Sequence, residues 1–162
     1  MTDDIAVALA PTTDVSFSAE LKGVVVAEAR ARRVEAEALV AALDRERSAL
    51  DDAASTVADV TEWLADADGT PLTDLGFDAL RARHETLAAH RDRCRGLAER
   101  RQAFLDESTA SRSRAGISHR TLVPYLYEDF PVGHPVLSTV ASLDATCLNC
   151  QRVVRDHLVR RA

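Results

Sequence analysis

Aromatic side chains are scarce in this sequence: four Phe, two Tyr and one Trp, or 4% of 162 residues. Packed β-sheets draw on aromatic and β-branched side chains, so the shortage argues against a sandwich or barrel. Lysine is scarcer still, with Lys22 alone against nineteen arginines, while Asp outnumbers Glu sixteen to ten. That balance points to a GC-rich or salt-adapted host. Three cysteines are an odd number and too few for a disulfide framework, so they read as reduced cytoplasmic thiols. The six glycines form no phosphate loop, and no serine sits in a nucleophile elbow. No run approaches the ~18 uninterrupted apolar residues of a membrane span. The opening "MTDDIAVALAPTTD" is acidic where a secretory signal is basic, so a cytoplasmic protein is expected.

What the chain does contain is alanine, arginine, leucine and acid. Hydrophobic residues make up 46% and charged residues 28%, a composition suited to closely packed helices. The length is that of a single domain. Its net charge of −6 is unevenly spread. Residues 1–80 hold 17 acidic and 6 basic side chains, and residues 81–162 hold 9 acidic and 14 basic. Two segments of opposite sign are expected to pack on each other. A pI near 5.3 disfavours strong non-specific DNA binding.

Periodicity then divides the chain. Residues 1–17 read as a disordered lead-in, and residues 18–162 as a single helical domain. Ser16 or Ser18 can cap a first helix, expected from about 18 to 66. Its stripe is Ala36, Leu39, Leu43, Glu46, Leu50, Ala53, Val57, Val60 and Leu64, in alternating steps of three and four. Such a stripe marks a coiled-coil arm. Gly69 and Pro71 break it, and Thr73 or Asp74 can cap a second helix, expected from about 74 to 108. The second stripe is Phe77, Leu80, His84, Leu87, Arg91, Cys94, Ala98, Arg101 and Leu105. A short connection makes the two helices antiparallel neighbours. With Leu64 opposite Phe77, Glu46 is expected to pair with Arg91 or Arg95.

A polar linker, residues 108–118, precedes a segment holding three of the seven aromatics and three of the five prolines. It should form a short helix over about 120–128 and fold Tyr125, Tyr127 and Phe130 into a local core. Pro135 suits the first turn of a third helix, expected to run to about 160. The expected fold is therefore all-α: a long antiparallel coiled-coil hairpin, a short connector helix and a third C-terminal helix packing on the hairpin. The first helix outruns the second, so part of its N-terminal portion needs cover from the third helix or a second subunit.

The stretch "DATCLNCQRVVRDHL" is the clearest candidate for chemistry. Its CxxC lies within the stripe Val136, Val140, Leu143, Cys147, Cys150, Val154 and His157, so both thiols read as small apolar packing groups. A redox CxxC opens a helix after a strand, and this one does neither. Packing of helices two and three could gather His90, Cys94, Cys147 and Cys150 into a tetrahedral zinc set. Against that, the second pair is not a knuckle on a turn, so no metal or other cofactor is favoured. "HETLAAH" resembles a helical zinc-protease motif but spaces its histidines by six residues, about 600° of helix, which leaves them on different faces. The run Arg91, Arg93, Arg95, Arg100 and Arg101 carries no interleaved aromatics to stack on bases and reads as pairing with the acidic first helix.

"LRARHETLAAHRDRCRGLAERRQAFLD" and "YLYEDFPVGHPVLSTVASLDATCLNCQRVVRDHLVRR" resemble a family of haloarchaeal helical proteins of unknown function. The resemblance runs from about residue 18 to the end. It implies a long helical hairpin with a C-terminal segment in a salt-rich archaeal cytoplasm, and no activity or site residue to carry over.

The function expected is that of a non-catalytic helical interaction or scaffolding module, not an enzyme. Its partner would be another protein or a second copy, met through helix faces, and the hairpin tip near Gly69 is a possible surface. The alternatives are a zinc-stapled regulator using His90, Cys94, Cys147 and Cys150, and a nucleic-acid-associated coiled coil.

Overall fold

The computed structural model describes residues 18–110 and 119–161, with side chains at 18–106 and 123–161. The expected lead-in, residues 1–17, and most of the expected linker lie outside the described residues. Helix α1 spans Ala19–Asp68, α2 Phe77–Ala110, α3 His119–Leu126 and α4 Pro135–Val159. A single 3₁₀ turn, Leu72–Asp74, lies between α1 and α2. Among the described residues there is no strand, and the fold is all-α as expected.

Each boundary has a local cause. Ser18 caps α1, its hydroxyl accepting from the Leu21 amide at 3.1 Å. At the other end Gly69 turns the chain with ordinary helical angles, φ −63° and ψ −12°. Pro71 then sets the extended entry to the 3₁₀ turn. Thr73 and Asp74 lie inside that turn and do not cap α2, which starts after Gly76. Pro135 occupies the first turn of α4, where its missing N–H leaves no helical bond unmade.

Ion pairs report the directions. Asp59 of α1 meets Arg93 of α2 at 2.6 Å, and Glu46, further back on α1, meets Arg101, further along α2. Steps backward on one helix match steps forward on the other, so α1 and α2 are antiparallel. Asp144 of α4 meets Arg91 at 3.0 Å, and Gln151 donates to the His84 carbonyl, so α4 is antiparallel to α2 as well. The tightest helix pair is α2 with α4 rather than the hairpin itself.

This register corrects one expectation. Glu46 pairs with Arg101, not with Arg91 or Arg95. The expected register assumed a minimal turn. Residues 69–76 instead take up a 3₁₀ turn, which moves α2 along α1 by about two helical turns. Phe77, expected opposite Leu64, is left half exposed.

The core has two linked parts. Val60, Leu80, Leu87, Cys147 and Val154 form one, with Trp63, Leu64, Leu72, Leu75, Leu143, Cys150 and Leu158 packed around it. Ala53, Cys94, Leu97 and Val140 form the other, and Leu143 touches both. The connector contributes less than expected. Tyr127 is buried, but Tyr125 is 74% and Phe130 54% exposed, because α3 ends at Leu126 and the chain turns outward. Tyr127 and Phe130 meet edge to face with ring centres 5.6 Å apart.

Leu87 is 1% exposed between all three long helices, whereas Phe77 lies at the edge. Leu87→Ala is expected to lower the unfolding free energy by about 2–5 kcal/mol in a urea titration. Phe77→Ala should lower it by less than about 1 kcal/mol.

Candidate functional site

The expected thiol–histidine set is distributed through the packing. Cys94 sits at 1% exposure with Ala53, Leu97 and Val140; Cys147 at 0% with Val60, Leu80, Leu87 and Val154. Cys150 is half-buried at the edge of the latter group. The stripes thus place all three cysteines between α2 and α4, as their spacing predicted. Burial raises the Cys94 thiol above its usual value, helped by Asp144. Burial, then the neighbouring Cys94 and Cys150, push the Cys147 thiol up to about 11. Protonated thiols are poor nucleophiles and poor ligands.

His90 lies against an aromatic residue of α1. Its ring lies 4.9 Å from that of Trp63, and neither ring nitrogen has a hydrogen-bond partner among the described residues. Burial, then the charge of Arg93, lowers its pKa, so the ring is neutral. Among the described residues, no group of three or more His, Cys, Asp or Glu side chains is arranged to hold a metal ion. His84, one turn and more before His90, has its carbonyl accepting from Gln151.

The arginine run is largely engaged within the bundle. Arg91 meets Asp144 and Gln151 of α4, Arg93 meets Asp59 of α1, and Arg95 meets Asp92 on its own helix. Arg101 is buried, and its two terminal nitrogens donate to the two Glu46 oxygens at 2.9 and 2.7 Å. The hydroxyl of Tyr127, the residue just after α3, also donates to Glu46, at 2.5 Å. Arg101 further lies over the Phe104 ring, 5.3 Å from its centre. Burial pulls the Arg101 guanidinium down, but Glu46 and then Tyr127 outweigh it and hold it above its ordinary value. Burial and the Glu46 carboxylate push the Tyr127 hydroxyl up to about 12. Glu46 and Arg101 each stood in an apolar stripe, which signals a buried polar pair; nothing in the sequence marked Tyr127 as the third member.

Two surfaces remain open to other molecules. At the hairpin tip a cavity of about 360 Å³ lies among Trp63, Leu64, Leu72, Leu87, Cys150 and Val153. Its lining is mainly apolar, suited to an apolar group and furnished with no cluster of bases or nucleophiles. The other surface is the N-terminal arm of α1. Ala42 is the first buried residue of that helix, and residues 19–41, about 35 Å of helix, lie outside the core. Along the arm Leu21, Val25, Glu28, Arg32, Glu35 and Leu39 are spaced 4, 3, 4, 3 and 4. They continue the stripe of Ala42, Glu46, Ala53 and Val60 without a change of phase. The sequence reading began the stripe at Ala36 and missed Leu21 and Val25, whose fourteen-residue interval from Val25 to Leu39 was the available signal.

The buried pair yields two expectations. Arg101→Leu should destabilise the fold by about 3–5 kcal/mol, because Glu46 keeps its charge without its partner. The double variant Glu46→Leu/Arg101→Leu should lose less than either single change in the same urea titration. The alkaline limb follows from Cys147 and Tyr127, whose values rise on folding to about 11 and about 12. Below pH ~7.5, well under the unfolded values of about 8.5 for a thiol and about 10 for a tyrosine, both groups are neutral in folded and unfolded chains and add no slope. Above it the unfolded chain ionises first, so stability falls as pH rises through 11 and 12. Urea midpoints between pH 8 and 11.5 check this, and Cys147→Ala or Tyr127→Phe should flatten the decline.

No helix of the described residues is long and apolar enough to cross a membrane. No curated protein and no solved structure matches the chain. Residues 1–151 match the family described as a domain of unknown function, DUF7260. With nearly its whole length matched, the chain belongs to that family.

Proposed function

We propose that this protein is a helical interaction module that works by presenting helix faces to another protein chain, without catalysis. One observation carries the reading: the α1 stripe runs on toward the Ser18 cap, while among the described residues its buried members start only at Ala42. Helix α4 packs on α1 near Ala53, Val60 and Leu64, at the opposite end from the arm. A stripe that runs about three heptads past the fully buried part of its helix suits the docking of another helix.

The arm is also stiff enough to serve. Arg32 bridges Glu28 at 3.0 Å and Glu35 at 2.8 Å, and Arg33 meets Glu37 at 2.8 Å. Such pairs, one turn apart, each add about 0.2–0.5 kcal/mol to a helix without tertiary support. Zinc stapling is disfavoured because, among the described residues, no group of three or more His, Cys, Asp or Glu side chains is arranged to hold a metal ion. Nucleic-acid binding is disfavoured because Arg91, Arg93, Arg95 and Arg101 are spent on carboxylates of this chain. The reading takes the protein to be cytoplasmic and its host haloarchaeal, on the strength of one lysine against nineteen arginines.

The test is capture of a protein by the full-length chain, compared with the variant Leu21→Glu/Leu39→Glu. Capture that the variant loses is the expected result, with unfolding unaffected by a chelator. A gel shift with DNA that survives physiological salt, or a melting temperature that drops when zinc is removed, would replace this reading.

A further inference from the structure

We infer that the cavity at the hairpin tip binds a small zwitterion with an apolar body, the class of α-amino acids with large apolar side chains. The site lies at the far end of α1 from the arm, and it does not depend on the interaction reading above. The form of the cavity and two charges in its wall carry the inference.

The cavity holds about 360 Å³ and is lined by every element that meets at the tip: α1, the connection after it, α2 and α4. That volume falls in the range of small-ligand sites, about 300–1,000 Å³. Leu87 and Val154, 1% and 2% exposed, close its buried side. The half-buried Trp63 stands in its wall, its ring packed on that of His90. Ala67 and Val153 line it from α1 and α4 and are too small to fill it. Arg161 ties the connection to the end of α4 through the carbonyls of Thr73 and Leu75. The space is therefore built into the fold, and a ligand need not open it.

The charges decide what kind of ligand fits. Arg83 of α2 and Asp68, the last residue of α1, both line the cavity. Among the described residues neither makes an ion pair, whereas Arg81, Arg91 and Arg93 of α2 each meet a carboxylate. Arg83 is half-buried, and its Nη1 donates to the Thr70 carbonyl at 3.2 Å. Its Nε and Nη2 remain for the two oxygens of a carboxylate. Asp68 stands at the negative end of the α1 dipole, in a last turn without a basic residue, so an ammonium is favoured beside it. A simple apolar acid would meet repulsion from Asp68, and a simple apolar amine would meet it from Arg83. A molecule with carboxylate and ammonium on one carbon satisfies both, with its side chain toward Leu87 and Val154.

Trp63 is the chain's one tryptophan, so its emission reports on the cavity directly. The full-length chain is titrated with L-phenylalanine, with hydrocinnamate, which lacks the ammonium, and with phenethylamine, which lacks the carboxylate. A saturable change with L-phenylalanine below about 10 mM is expected, with each of the other two binding at least tenfold more weakly. Arg83→Gln should weaken L-phenylalanine at least tenfold and leave phenethylamine no weaker. Asp68→Asn should weaken L-phenylalanine likewise and leave hydrocinnamate no weaker. Melting temperatures of the two variants separate loss of the site from loss of the fold, and the comparison of three ligands on the unaltered chain needs no variant. An emission spectrum that L-phenylalanine leaves unchanged up to about 10 mM overturns the inference. Equal binding of the three ligands overturns it too, because the two charges would then play no part.

Discussion

Between α1 and α2 a carboxylate and a guanidinium leave water together, and a tyrosine just past the end of α3 closes over them. Glu46 of α1, Arg101 of α2 and Tyr127 of the turn after α3 are all buried. A charge in that position is tolerated only with its partner in hydrogen-bonding geometry, and the planar fork of arginine allows little sliding. Apolar ridges alone would permit α2 to slip along α1 by a heptad, because alanine and leucine repeat at the same interval. The buried pair removes that freedom. It also fixes where α3 can sit, and therefore where the chain enters α4.

The rest of the bundle follows from that alignment. With Glu46 on Arg101, Val60 comes to lie with Leu80 and Leu87, and Asp59 reaches Arg93. Helix α4 then fills the remaining groove with Val140, Cys147 and Val154, and Arg91 joins it to α2 through Asp144 and Gln151. Arg161, just past the end of α4, donates to the carbonyls of Thr73 and Leu75 and ties that helix to the hairpin tip. With few aromatics available, small side chains such as Ala53, Cys94 and Cys147 let the helices approach closely. Thiols serve here as compact apolar groups, and burial keeps them protonated.

The arm of α1 obeys different physics. Inside the bundle, removal of apolar surface from water supplies the stabilisation. Outside it, ion pairs along one helix supply the local support, and these are screened by salt while the buried pair is not. The uninterrupted stripe joins the two regions. Its run past the fully buried part of the helix is the basis for proposing that the protein binds through a helix face.

Much of this was written in the order of residues. Alternating steps of three and four mark the long helices, Pro135 and Ser18 mark starts, and the stripe of α4 places both its cysteines on the apolar side. Those signals are local, because a helix shows its face within two turns. The register of α1 on α2 was not local. It depended on a 3₁₀ turn in the connection and on a tyrosine eighty-one residues from Glu46, and no periodicity encodes either. The same holds for His90, which a helical wheel allows near the cysteines but which packing directs to Trp63. Sequence by itself determined which faces are apolar; tertiary structure decided which of them find a cover, since that depends on how far each helix reaches once the buried charges have set the alignment.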